Sequence, residues 1–385
     1  MQHKEDLIVI GAGILGAFHA FHALRAGKRV TLFEKDQYPV SATVRNFGQV
    51  VPSGMSGRWL EYGRRSLEWY HQIQRELDIS VRENGTVYIA SDPDEQRLIH
   101  ELREIMEGKD YPAELLTTAQ CLTKWPTLRA SYVREALYFP LELSVAPDQM
   151  IYRLLAYMQR KFPAFTYLPH TAILDVHPAG DRAEVVTARG DRFFAAKVVI
   201  CNGGEYKLLF PDLFQSSGIV LSKLQMMRTR PMPSVDLKGN ILTGLTIRRY
   251  ESFEDCPSFA GLGVPDHLRE LKEWGIHILF KQADDGSIII GDSHEYAGVS
   301  QTDDLGFTLK QRVNELMLAE ASRIVTFDVR DLDTVWAGFY PQHKQKDIVE
   351  EDLDGCIHIR TAIGGKGMTS GAGYAEESIR KIFGE

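Results

Sequence analysis

Several things are scarce or missing in this chain, and each absence closes off a class of protein. There are only four cysteines, Cys121, Cys201, Cys256 and Cys356. They are far apart, form no C-x-x-C pair and stand at no zinc-site spacing from a histidine. A disulfide scaffold and a metal module are therefore not expected, and reduced thiols in a cytoplasmic protein are. His19 and His22, three apart on a helix, read as helix-face residues and not as metal ligands. No apolar run approaches the length of a membrane span. The N-terminus leads almost at once into an apolar strand, so a signal peptide is not expected. Positive charge is in the minority, with 44 Lys and Arg against 52 Asp and Glu and a net charge of -8. That balance offers no basic stripe for nucleic acid. There is no repeat, no low-complexity tract and no visible Ser/His/Asp-type triad. Gly364-Gly365-Lys366-Gly367 superficially suggests a P-loop. Its lysine is followed by glycine where that loop needs a hydroxyl, so a nucleoside triphosphate is not expected.

The 385 residues, 44% apolar and 25% charged, fit a soluble globular protein of two domains. The most informative stretch is N-terminal. Leu7-Ile8-Val9-Ile10 runs into Gly11-Ala12-Gly13-Ile14-Leu15-Gly16, and Val30-Thr31-Leu32-Phe33 stops at Glu34, followed by Lys35. This is G-x-G-x-x-G in its full β-α-β context. Gly11 allows the tight turn. Gly13 lets backbone N–H groups approach a pyrophosphate, and Gly16 lets the helix sit close to the sheet. The helix N-terminus favours the anion. Glu34 stands where a carboxylate accepts hydrogen bonds from both ribose hydroxyls, which argues against a 2′-phosphate.

Downstream, apolar spacing predicts helices over 58–77, 95–107, 118–124, 148–161 and 315–324. A strand is predicted over 86–90. A three-strand meander runs over 172–177, 183–188 and 193–200 and ends in Asn202-Gly203-Gly204. The stretch 219–300 reads as strand-rich, with a hairpin of 276–280 and 287–291 turning at Asp284-Asp285-Gly286. The chain closes with a strand over 357–361, the glycine loop and a helix to Phe383.

Four separated pieces carry a family likeness: the N-terminal fingerprint, the meander closing on Val198 to Gly204, Trp336-Ala337-Gly338-Phe339-Tyr340-Pro341, and Gly364-Gly365-Lys366-Gly367-Met368-Thr369. Together they resemble the FAD-dependent D-amino-acid oxidase superfamily, which includes glycine oxidase, sarcosine oxidase and related amine dehydrogenases. The likeness is strong at both ends and weak across the middle. It implies an α/β fold: a discontinuous Rossmann-like FAD-binding domain (1–82, 146–218, 330–385) and a mixed, largely antiparallel sheet as substrate domain (83–145, 219–329). Thr43 to Gly54 and Lys223 to Thr229 resemble, more narrowly, a bacterial subgroup associated with aminophosphonate breakdown. Asn202-Gly203-Gly204 departs from the family's commoner Ala-Gly-Ala.

The likeness implies noncovalent FAD and oxidation of a C–N bond by hydride transfer to flavin N5. The imine would then hydrolyse to an aldehyde or keto acid. Cofactor contacts are expected from Gly11, Gly13, Ile14, Leu15, Gly16, Glu34, Lys35, Arg45, Asn46, Gly48, Ala172, Asn202, Gly203, Gly204, Gly338, Gly364, Gly365, Gly367, Met368 and Thr369. Lys366 and Gln49 are the catalytic candidates. A small anionic amine needs cationic partners, for which Arg228, Arg230, Arg248 and Arg249 are candidates. Tyr250, His277, Tyr340 and His343 are candidates for the pocket wall, and Trp336 reads as core. The implied substrate is 2-aminoethylphosphonate or its N-methyl form, with glycine, sarcosine or a D-amino acid as the alternative. Oxygen or another acceptor takes the electrons, since oxidase and dehydrogenase forms share these motifs. A non-catalytic binding protein on the same fold, like the prenyl-GTPase escort proteins, is the remaining rival.

Overall fold

A computed structural model describes residues 4–384. The first strand, β1 (Lys4–Ile10), leads into helix α1 (Ile14–Arg25) and strand β2 (Val30–Phe33). Leu7, Ile8 and Val9 have no exposed surface, so β1 is covered on both faces, as a continuous apolar run in a parallel sheet requires. Helix α1 is buried almost all round. It lies between the sheet and the C-terminal helix Gly367–Phe383, which also packs on the long helix Gly57–Glu76.

Two large sheets form among the described residues, one of eight strands and one of nine. The first has the order Val349–Leu353, Ile357–Thr361, Arg192–Ile200, β1, β2, Phe165–Leu168. Its pairings are parallel except at the Val349–Leu353 edge and in the meander that branches from Arg192–Ile200. This is a Rossmann-like sheet completed by a strand from the far end of the chain.

Near one edge of the second sheet is the eleven-residue strand Ile219–Thr229, which pairs antiparallel with Ile288–Gly291, Glu295–Gly298 and Leu332–His343. Two features differ from the sequence expectation. The Trp336–Pro341 segment lies inside Leu332–His343 and joins the second sheet, so the piece 330–385 is shared between the two sheets. The stretch 219–300 also contains short helices, among them Gly244–Ile247 and Glu251–Glu254, that apolar alternation does not reveal. Trp336 is half-buried and packs against the edge of the hydrophobic core; its indole N–H donates to the Arg45 carbonyl at 3.3 Å.

Candidate active site

At the C-terminal end of β1, Gly11 turns with φ +97°. A Cβ there would lie 2.3 Å from the Cys201 carbonyl oxygen, and one on Gly16 would lie 1.8 Å from the Gly11 carbonyl oxygen. Gly16 therefore lets α1 sit on the turn. Glu34 is buried and accepts from the Ala12 N–H (3.0 Å) and the Asp36 N–H (3.1 Å). It lines a cavity of about 330 Å³ with Gly11, Gly13, Lys35, Asn202, Gly203 and Gly204. The Lys35 ammonium is paired with Asp36 at 2.5 Å. The Ala172 carbonyl accepts from the Ala188 N–H within the meander, and its neighbours Thr171 and Ile173 line the cavity.

A larger cavity of about 620 Å³ adjoins the first, and Gly13, Thr43, Arg45, Cys201, Gly203 and Phe339 form walls of both. Ile14 and Leu15 line it near α1. The Ile14 N–H donates to Thr43 Oγ1 at 2.9 Å. Asn46 lines it too, while its amide bonds back to the Ala42 and Thr43 carbonyls and accepts from the Gly48 N–H at 2.7 Å. Gly48 lines neither of these two cavities; a Cβ there would lie 2.2 Å from the Val145 carbonyl oxygen and 2.9 Å from Lys281 Nζ. Gly338, Gly364, Gly365, Gly367, Met368 and Thr369 line the larger cavity, and Thr369 Oγ1 accepts from the Val51 N–H at 3.1 Å. Lys366 is in the wall, with its ammonium 3.0 Å from Glu251 and 3.5 Å from Asp347. It is already neutralised in this structure.

The cavity roof is polar because of one hairpin. His277 and Asp292 face each other at the hairpin's open end and exchange backbone hydrogen bonds (3.0 and 2.7 Å). His277 Nε2 lies 2.6 Å from Asp292 Oδ1. Two residues on, His294 stacks on His277 with ring centroids 5.4 Å apart and sits 3.1 Å from the Tyr340 hydroxyl. Burial pushes His294 down to about 3. Burial pushes the Asp292 carboxyl up, but His277, His294 and Arg249 outweigh it and hold it below the usual carboxylate range. Tyr250 packs its ring on His277, and the Arg249 guanidinium donates to the Tyr296 hydroxyl at 3.1 Å. All these residues line the larger cavity.

Sequence reasoning missed Asp292, His294 and Tyr296. Their signal is an alternation directly after the Ile288–Gly291 strand, which puts every second side chain on one face. Most of the basic candidates lie away from these two cavities. Arg228 bonds Ser287 and pairs with Asp285 at 2.6 Å. Arg230 lies 3.6 Å from Asp331 on the surface. Arg248 is clamped between Asp92 (2.5 Å) and Glu95 (2.7 Å). His343 bonds the Ser217 carbonyl at 2.8 Å. None of the four lines either cavity.

Among the buried polar atoms without a hydrogen-bond partner among the described residues are Gln49 Nε2, in the larger cavity's wall, and Asn202 Oδ1, in the smaller one's. A ligand with polar groups at both ends and an anion at the α1 N-terminus would satisfy them. The matching family model, described as FAD-dependent oxidoreductase (DAO), covers residues 6–379. The chain belongs to the DAO family of FAD-dependent oxidoreductases. Its cofactor is FAD.

Among relatives of this DAO-family chain, a glycine oxidase of Geobacillus kaustophilus is 26% identical over 219 residues, 53% of this chain and 55% of that protein. The chain thus spans about half the length of the curated relatives it matches. Solved structures agree over nearly the whole fold. Glycine oxidase from Bacillus cereus ATCC 14579 has a TM-score of 0.78 at 19% identity, covering 99% of this chain and 95% of that one. L-alpha-glycerophosphate oxidase from Mycoplasma pneumoniae, with FAD bound, has a TM-score of 0.77 at 14% identity, covering 99% and 95%.

Proposed function

We propose that this DAO-family protein oxidises the C–N bond of a small anionic amine. The observation that carries the proposal is Arg249. Of the four candidate arginines it is the one in the cavity wall, and among the described residues no carboxylate lies within ion-pairing distance of it. A guanidinium with free donors in a cavity wall suits a carboxylate or phosphonate.

In this reading Gly11, Gly13, Ile14, Leu15 and Glu34 hold the adenosine diphosphate half of FAD. Gln49 and the Gly364–Thr369 loop hold the flavin. When bound, FAD supplies the acceptor for the hydride, and the imine left behind hydrolyses to an aldehyde or keto acid. The chain's own residues bind and orient: Arg249 takes the anion, Tyr250 and Met55 shape the wall, and Lys366 with Glu251 borders it. Cys201 is also in the wall, but burial pushes its thiol up to about 12, which keeps it a poor nucleophile and favours noncovalent FAD.

Within the amine class, 2-aminoethylphosphonate or its N-methyl form is the substrate we favour, on the likeness of residues 43–54 and 223–229. The glycine oxidases among the relatives favour a second reading, a simple amino acid such as glycine, sarcosine or a D-amino acid. Oxygen or another acceptor closes the cycle. Four buried, unpaired cysteines support a reducing, cytoplasmic setting, and no described helix is long and apolar enough to cross a membrane. The division into an FAD domain and a substrate domain is kept as part of this proposal, with the Leu332–His343 strand moved to the substrate side.

The test is a panel of these amines offered to FAD-loaded protein, with oxygen or an artificial acceptor. Turnover of an anionic amine supports the proposal. Turnover of none, or of amines lacking an anion in preference, overturns it.

A further inference from the structure

We infer that His294 is a positioning residue that makes the Tyr340 hydroxyl an acceptor for the substrate's ammonium group. This rests on the anionic-amine reading and deepens it by assigning the second end of the substrate.

The argument is one of hydrogen-bond direction. His294 Nδ1 lies 3.0 Å from the Gly275 carbonyl oxygen. A carbonyl only accepts, so the proton of the neutral ring is on Nδ1 and the lone pair is on Nε2. That lone pair is 3.1 Å from the Tyr340 hydroxyl. Tyr340 has one proton and must point it at His294. Toward the cavity the hydroxyl therefore presents lone pairs only. Burial holds His294 neutral far below physiological pH, so the direction does not reverse there.

The neighbouring charges agree with this polarity. Ionised Asp292 stands beside His277 and His294, while Arg249 presents donors from the same wall. An ammonium has three donors and no acceptor; a carboxylate or phosphonate has the reverse. Arg249 and Tyr340 thus offer opposite hydrogen-bonding polarity to the two ends of a small amine.

The test compares FAD-loaded wild type with His294→Phe, Tyr340→Phe and His294→Gln. Each amine is paired with its amine-free counterpart: 2-aminoethylphosphonate with ethylphosphonate, and glycine with acetate. Amine affinity is read from the half-saturating concentration for anaerobic flavin bleaching, and anion affinity from the perturbation of flavin absorbance. Loss of one charge-assisted hydrogen bond should weaken the amine about tenfold in His294→Phe and Tyr340→Phe, and the amine-free anion less than about twofold. His294→Gln, whose amide oxygen can accept from Tyr340, should restore most of the loss. Flavin content equal to wild type certifies the fold of each variant. Equal weakening of both members of a pair, no weakening of either, or no rescue by glutamine overturns the inference and leaves the anionic-amine reading standing. If the wild type responds to no member of any pair, that reading falls and the inference falls with it.

Discussion

At the residue scale, a basic residue is functional only if its charge is not already spent. Arg248 and Arg249 are adjacent, yet one is clamped by Asp92 and Glu95 and the other opens on the cavity. The sequence shows both arginines but not the carboxylates that reach one of them from a distant helix. The same holds for Arg228, whose partner Asp285 is brought across by the hairpin turn. Two opposite outcomes follow. Arg249→Ala should raise KM for an anionic amine by about 10- to 100-fold, the worth of a charge-assisted hydrogen bond, at nearly unchanged melting temperature. Arg248→Ala should leave KM unchanged but strand the buried Glu95 carboxylate, lowering stability by about 3–5 kcal/mol in a denaturant titration. Gly16→Ala is expected to abolish FAD uptake, checked by flavin absorbance of the purified protein, because its Cβ would overlap the Gly11 carbonyl.

At the scale of elements, local patterns were legible and their long-range pairings were not. The strands Thr86–Ala90 and Ile357–Thr361 and the helix Thr118–Lys124 lie where apolar spacing places them. The β1–α1–β2 unit and the C-terminal glycine loop were readable because in each the glycines stand at fixed spacing between an apolar strand and a helix start. The hairpin turn at Asp284-Asp285-Gly286 was readable too, but the site lies at its open end, where His277 and Asp292 meet across strands. Turn chemistry says nothing of what that end faces. The helix pair Gly57–Glu76 and Gly367–Phe383 offers a packing test. A Cβ on Gly373 would lie 2.3 Å from the Tyr62 carbonyl oxygen. Gly373→Ala should force the helices apart and cost about 1–3 kcal/mol in thermal unfolding.

At the scale of the whole molecule, the burial that builds the core also sets its acid stability. Burial holds His19, His22 and His294 each down to about 3. A folded-state value below the unfolded one means that the unfolded chain binds more protons between them. Their stabilising contribution is complete above about pH 6.5 and is lost as pH falls toward 3. For Glu376, burial pushes the carboxyl up, but Arg65 and Trp69 outweigh it and hold it at about 2, so its contribution is lost as pH falls below the ordinary carboxylate range. The melting temperature should therefore decline progressively from pH 6.5 downward, and a flat profile to pH 4.5 would contradict this account.

The two cavities share a wall, and in the reading proposed above they serve together to oxidise an anionic amine on FAD. Anaerobic mixing of the FAD-loaded protein with 2-aminoethylphosphonate, its N-methyl form, glycine, sarcosine and D-alanine tests this most directly. Bleaching of the flavin absorbance by at least one of them, slowed in Arg249→Ala, is the predicted result; a flavin that stays oxidised with all five would contradict it.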